Sequence, residues 1–164
     1  MTVTSVDKDP ATRTMTIAAE FDAPVARVWQ VWEDPRQLER WWGPPTYPAT
    51  VLDHDLTPGG SVAYLMTGPE GDQHRGWWRV VAVEAPHRLE FEDGFADADG
   101  KPLDMPVTTV RVTLDERDGG GTRMRIASVF PSTEAMEQML AMGMAEGMAQ
   151  ALGQVDELLG VRQG

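Results

Sequence analysis

The chain has 164 residues, the length of one ordinary domain, which provides for a single hydrophobic core rather than two. Fourteen Lys and Arg against 26 Asp and Glu give a formal charge of −12, which repels nucleic-acid phosphates and anionic lipid alike and argues against both as partners. The lack of cysteine excludes disulfides, thiolate metal sites and cysteine nucleophiles, and fits a cytoplasmic location. Six of the 12 aromatic residues are Trp and there are 10 Met, so large, adaptable apolar side chains are over-supplied.

Met1 to Pro10 alternates polar and charged residues, with neither the basic stretch nor the apolar stretch of a secretory signal, and reads as a tail over residues 1–11. The longest apolar run, Trp77 to Val83, is interrupted by Arg79 and is far below the ~20 residues that span a bilayer, so no membrane insertion is expected. Neither a repeat nor a linker divides the chain, which leaves one domain over 12–160 and a short tail over 161–164.

Alternation over Thr12 to Phe21 predicts a first strand. Asp22 as cap and Pro24 in the first turn then start a helix, whose Val25, Val28, Trp29 and Trp32 fall on one stripe. Asp34-Pro35 breaks it, because the residue before proline is pushed out of the helical region. A second short helix carries Leu38, Trp41 and Trp42 up to Gly43-Pro44-Pro45.

From Tyr47 to Phe130 the pattern changes to short strands separated by turn residues. The expected strands are Tyr47–Leu56, Ser61–Thr67, Gly76–Glu84, Arg88–Phe95, Val107–Glu116 and Thr122–Phe130, making about seven with the first. Ser132 and Thr133 follow Pro131 and start a long helix to about Leu159, with Gly160 as its C-terminal cap. At 100° per residue, Met136, Leu140, Gly143, Met144, Gly147, Ala151, Val155 and Leu158 form one stripe, with Met148 at its edge and Met139 and Met142 off to a flank. Two glycines in that stripe cost roughly 1 kcal/mol each relative to Ala, so the helix is making room. The room serves either close packing of helix on sheet or a void for a ligand.

Phe21-Asp22-Ala23-Pro24 with Val28-Trp29, then Asp34-Pro35, Leu38 and Trp41-Trp42-Gly43-Pro44, resembles the opening of the START-like helix-grip (SRPBCC) superfamily. The similarity is greatest to the branch of the activator of Hsp90 ATPase homologue 1-like proteins. It continues through His54 to Gly60, Pro86 to Phe91, Gly121 to Met124 and Gly147-Met148, and covers roughly 12–160. The resemblance implies an α+β helix-grip (Bet v 1/START-like) fold: a curved antiparallel sheet and two short helices wrapped around a long C-terminal helix. It further implies an apolar cavity between sheet and helix. Gly147-Met148 stands where the family commonly has Gly-Trp, a flexible thioether in place of a rigid indole.

Adjacent residues of a strand face opposite sides, so one of Trp77 and Trp78 faces the helix and the other is either a candidate homodimer contact or covered by the short helices or by Met1 to Ala11; alternation does not decide which. Asp53-His54-Asp55 is no chelating set, because in a strand the carboxylates point away from the imidazole. Asp97-Ala98-Asp99-Gly100 starts like a calcium loop but has Lys101 at a ligand position, so neither a metal nor another cofactor is expected. Ser5, Ser61, Ser128 and Ser132 lack the spacing of an activated nucleophile. Tyr64, Asp93 and Ser128 alternate with apolar residues and could orient a ligand, Asp93 with a raised pKa; the plainer reading of Asp93 is a strand-end carboxylate in water.

These observations favour a protein that binds a hydrophobic small molecule, lipid-like or polycyclic. The cavity candidates are Trp41, Trp42, His54, Tyr64, Met66, Trp78, Phe91, Asp93, Phe95, Met124, Ser128, Met136, Leu140, Gly143, Met144, Gly147 and Met148. A polyketide cyclase or dehydratase using the same cavity, with Tyr64, His54 or Asp93 as acid or base, is the alternative. A chaperone-interacting or stress-response role is the third reading. Seven of the acids lie between Glu84 and Asp104 against Arg88 and Lys101, which disfavours that rim as a site for acidic ligands.

Overall fold

The computed structural model describes residues 3–43, 45–104 and 107–159, with the side chain of Asp156 left aside. Eight strands form one antiparallel sheet in the order β1-β2-β8-β7-β6-β5-β4-β3. They are β1 (Val3–Asp9), β2 (Thr14–Phe21), β3 (Ala49–His54), β4 (Ser61–Thr67), β5 (Gln73–Glu84), β6 (Arg88–Ala96), β7 (Thr108–Arg117) and β8 (Gly121–Val129). Between β2 and β3 lie helices α1 (Val25–Glu33) and α2 (Pro35–Trp41). After β8 come α3 (Thr133–Ala141), α4 (Met144–Gly153) and α5 (Val155–Leu159).

Three expectations are corrected. The segment read as a tail is the edge strand β1, paired with β2 from Val3↔Ala19 to Asp9↔Thr14. Its side chains are nearly all exposed, so it lacks the apolar alternation that marks a half-buried strand. The single C-terminal helix is three: Gly143, at φ 89° in the left-handed region, separates α3 from α4, and Gln154 stands between α4 and α5. Asp22 does not cap α1: Pro24 is the N-cap residue, and the Asp22 carboxylate accepts from Arg117 at 2.6 Å. Asp34 caps α2, accepting from the Arg36 amide, and Ser132 caps α3 as expected, accepting from the Ala135 amide. The expected cap at Gly160 and the tail over 161–164 lie outside the described residues.

The core lies between the inner face of the sheet and the five helices. Bulges decide what faces it. The register of β5 shifts between Val80 and Ala82, so Val80 and Val83 both face inward while Val81 is 46% exposed. Strict alternation back from Val83 would therefore place the wrong indole inside. Trp78 faces inward and is fully buried; Trp77 lies on the outer face over Gly94, its indole donating to the Phe95 carbonyl at 3.0 Å. A second bulge between Val51 and Asp53 turns His54 toward the interior, opposite Val62.

Candidate functional site

Across the inner face the register lines up Val62, Trp78, Asp93 and Thr108 in one row and Val80, Phe91, Val110, Ser128 and Met15 in the next. The helices add Trp32, Trp41 and Trp42. Trp78 stacks on Phe91 with ring centroids 3.9 Å apart, and Trp32 meets Trp41 edge to face at 4.8 Å. Each such pair is worth about 0.5–1.5 kcal/mol beyond the area it buries. Much of the space expected to be an apolar cavity is occupied here by indoles. Trp41 donates to the Val31 carbonyl at 2.9 Å and Trp32 to the Met124 sulfur at 3.3 Å, so both are satisfied parts of the core, as is buried Met136.

One end of this core is polar. Tyr64 on β4 lies across β5 and donates its hydroxyl to the Asp93 carboxylate on β6 at 2.8 Å. It crosses there because the residue beneath the ring is Gly76: a Cβ at that position would collide with the Tyr64 ring and hydroxyl. Burial pushes the Asp93 carboxyl up from 3.8 to about 7, with the Tyr64 hydrogen bond pulling partly back. Burial first, then the Asp93 charge and hydrogen bond, raise the Tyr64 phenol; the Trp42 indole lies near it and weakly opposes them. Asp93 is therefore half-buried and held by Tyr64, which overturns the reading of a strand-end carboxylate in water.

A cavity of about 30 Å³ opens beside this pair, lined by Tyr64, Asp93, Gly94, Phe95, Thr108, Met139 and Met144. It has room for about one water. Phe95 also lines a groove of about 310 Å³ outside, with Gln73, His74, Arg75, Ala96, Asp97, Ala98, Leu103 and Met142. The break at Gly143 separates Met142, on the groove, from Met144, on the cavity. Three buried polar atoms of the neighbouring core lack a hydrogen-bond partner: the indole nitrogens of Trp42 and Trp78 and the hydroxyl of Ser128. Such orphans are rare in folded proteins.

Of the expected site residues, Tyr64, Asp93, Phe95 and Met144 line the small cavity together. His54 is not among them: its Nε2 lies 3.0 Å from the Trp32 carbonyl, so the ring donates to the end of α1. Met66 sits farther along β4, opposite His74. Leu140 and Met148 are half-buried against the core. Gly143 forms the turn between α3 and α4, and Gly147 has nothing within 4 Å of where a Cβ would stand, so close packing is not why it is glycine. Met139, Thr108 and Gly76 were missed. Met139 falls off the stripe of an unbroken helix, and only the turn at Gly143 lets it share a cavity with Met144. Gly76 carried no signal, since its role is to stay under a side chain from another strand.

Among the described residues no cluster of three His, Cys, Asp or Glu could hold a metal ion, and no helix is long and apolar enough to cross a membrane. An open antiparallel sheet closed by short and C-terminal helices over a mixed apolar and polar seam defines the helix-grip class. The family model of the activator of Hsp90 ATPase homolog 1-like proteins matches residues 22–160, and the chain belongs to that family. It is similar to a crystal structure of a Mycobacterium smegmatis protein, 52% identical, covering 99% of each chain with a TM-score of 0.90. It is likewise similar to a solution structure from Arthrobacter aurescens, 54% identical over 99% of this chain and 95% of that one, TM-score 0.94. The AHSA1 protein of Silicibacter pomeroyi, at 20% identity and TM-score 0.72 over 92% and 99% of the two chains, shares the fold. None of the curated proteins matches.

Proposed function

We propose that the protein binds a hydrophobic small molecule at the seam between the sheet and α3–α4, with Tyr64 and Asp93 as the polar anchor. The observation that carries this reading is the Tyr64–Asp93 pair itself. A carboxyl raised to about 7 is expensive to keep in an apolar core, and a fold seeking only stability would place an apolar side chain there. The methionines across the cavity support the same reading, because thioethers repack around ligands of different shape at low cost. So does Gly143, a turn at which the two helices can part.

Titration with a neutral apolar dye such as Nile red tests this. Saturable binding is expected in the natural protein, with loss in Met144→Glu at unchanged circular dichroism. A folded natural protein that binds no dye, or a variant that binds it equally well, sinks the reading.

The raised carboxyl also favours a second reading, acid–base catalysis on a bound carbonyl compound, for which a pKa near neutrality is the most effective. In that case Asp93→Asn keeps binding and removes turnover.

A further inference from the structure

The inner cavity and the outer groove adjoin at Phe95, with Met142 on the groove and Met144 on the cavity either side of the Gly143 turn. They differ in what they can hold. The inner half has the volume of one water and offers a phenol hydroxyl and a carboxyl. The outer half, about 310 Å³, lies at the lower end of small-molecule pockets, with Leu103 40% and Met142 61% exposed. Resting on the function proposed above, we infer that the ligand is an uncharged molecule with a long apolar body and a single-oxygen head, a hydroxyl or carbonyl. The head sits between Tyr64 and Asp93 and the body leaves past Phe95 into the groove.

Size and charge together select this class. A carboxylate head brings two oxygens into room for one, and no Lys, Arg or His lines the inner cavity to neutralise it. It would also meet the Asp93 carboxyl, where like charges in a site of low polarity repel. Basic side chains line the outer half only. His74 there is paired with Asp72 at 3.2 Å and Arg75 shares the groove with Asp97, in a chain of net charge −12. A hydroxyl fits either state of the anchor, donating to the carboxylate or accepting from the protonated acid; a carbonyl only accepts, from the protonated acid or from Tyr64.

The test compares two probes of one chain length, 1-decanol and decanoate, by calorimetry at pH 8 in moderate salt. Decanol is expected to bind about tenfold tighter or more, the worth of one well-placed buried hydrogen bond. In Tyr64→Phe, which keeps the ring over Gly76 but loses the hydroxyl, decanol is expected to weaken about tenfold at unchanged circular dichroism. Equal or tighter binding of decanoate overturns the inference and leaves the function proposed above standing. Decanoate binding that is lost in Arg75→Gln overturns it too, by assigning a reversed ligand with its head in the groove. If neither probe nor the neutral dye binds the folded protein, both readings fall together.

Discussion

Around Trp32 of α1, four aromatic side chains from α2 and its C-cap, β5 and β6 pack ring against ring, most of them without solvent contact. Next to them, at the α3–α4 end of the same seam, a phenol and a carboxyl face two methionines across a small void, under helices interrupted by a left-handed glycine. Both regions are built from the same strands, since Trp78 and Asp93 are register partners. The first spends large rigid side chains on filling space. The second keeps flexible thioethers, a half-buried carboxyl and a broken helix. The contrast is between space filled by interlocked rings and space bordered by side chains that repack at low cost.

Emptying the rigid region is expected to have the largest effect. Trp78→Ala removes the ring stacked on Phe91 and should cost about 3–5 kcal/mol of stability in urea denaturation. A loss below about 1 kcal/mol would mean that the aromatic region is as yielding as its neighbour.

The second effect belongs to Asp93. Its folded pKa of about 7 exceeds the ordinary 3.8, so between those values the folded chain holds a proton that the unfolded chain has released. On this group's account stability is highest at low pH, falls as pH rises toward 7, and is level above. Raising pH from 5 to 8 crosses roughly two units of that window. At about 1.4 kcal/mol per unit, less the screening by water at a half-buried group, the loss comes to about 2 kcal/mol. In Asp93→Asn that part of the fall should vanish. An unchanged pH profile would place the carboxyl in water and dissolve the contrast between the regions.

Tyr64→Phe comes next. It leaves the ring over Gly76 and removes one hydrogen bond, which should cost about 1 kcal/mol. Because that bond is what pulls the Asp93 carboxyl down, the variant's carboxyl should titrate above about 7, a shift that carboxyl-carbon NMR reads directly. Movement downward would show that Tyr64 does not hold Asp93.

How legible these regions are from sequence follows from what makes them. The strands from β4 to β8 could be read to within a few residues because turn residues punctuate them. Asp34-Pro35 announces the end of α1 for a similar local reason. The indole pair Trp77-Trp78 could not be oriented, since a bulge after Val80 resets the alternation and no residue type announces a bulge there. β1 was missed because an exposed edge strand has no buried face to show. Tyr64 and Asp93 could be flagged as polar residues among apolar ones. Their bond could not, as it spans two strands and depends on Gly76 between them. Met139 was put aside by a helical phase that Gly143 interrupts.

Gly143 and Gly147 give the smallest effects and the sharpest sign. In an unbroken helix both would be interior glycines, and replacing either by Ala would stabilise by the same amount, about 1 kcal/mol. Here they differ. Gly143 has φ 89°, a backbone region that alanine enters only with strain, so Gly143→Ala should destabilise by about 1 kcal/mol or force α3 and α4 to straighten. Gly147 lies inside α4 with open space at its Cβ position, so Gly147→Ala should stabilise by about 1 kcal/mol or less. Thermal melts of the two variants check this, and stabilisation of both would mean that the helix is continuous. The break would then no longer explain how Met139 and Met144 come to face one cavity. Opposite signs locate the yielding point of the seam at a single residue, the one standing between the groove and the Tyr64–Asp93 pair.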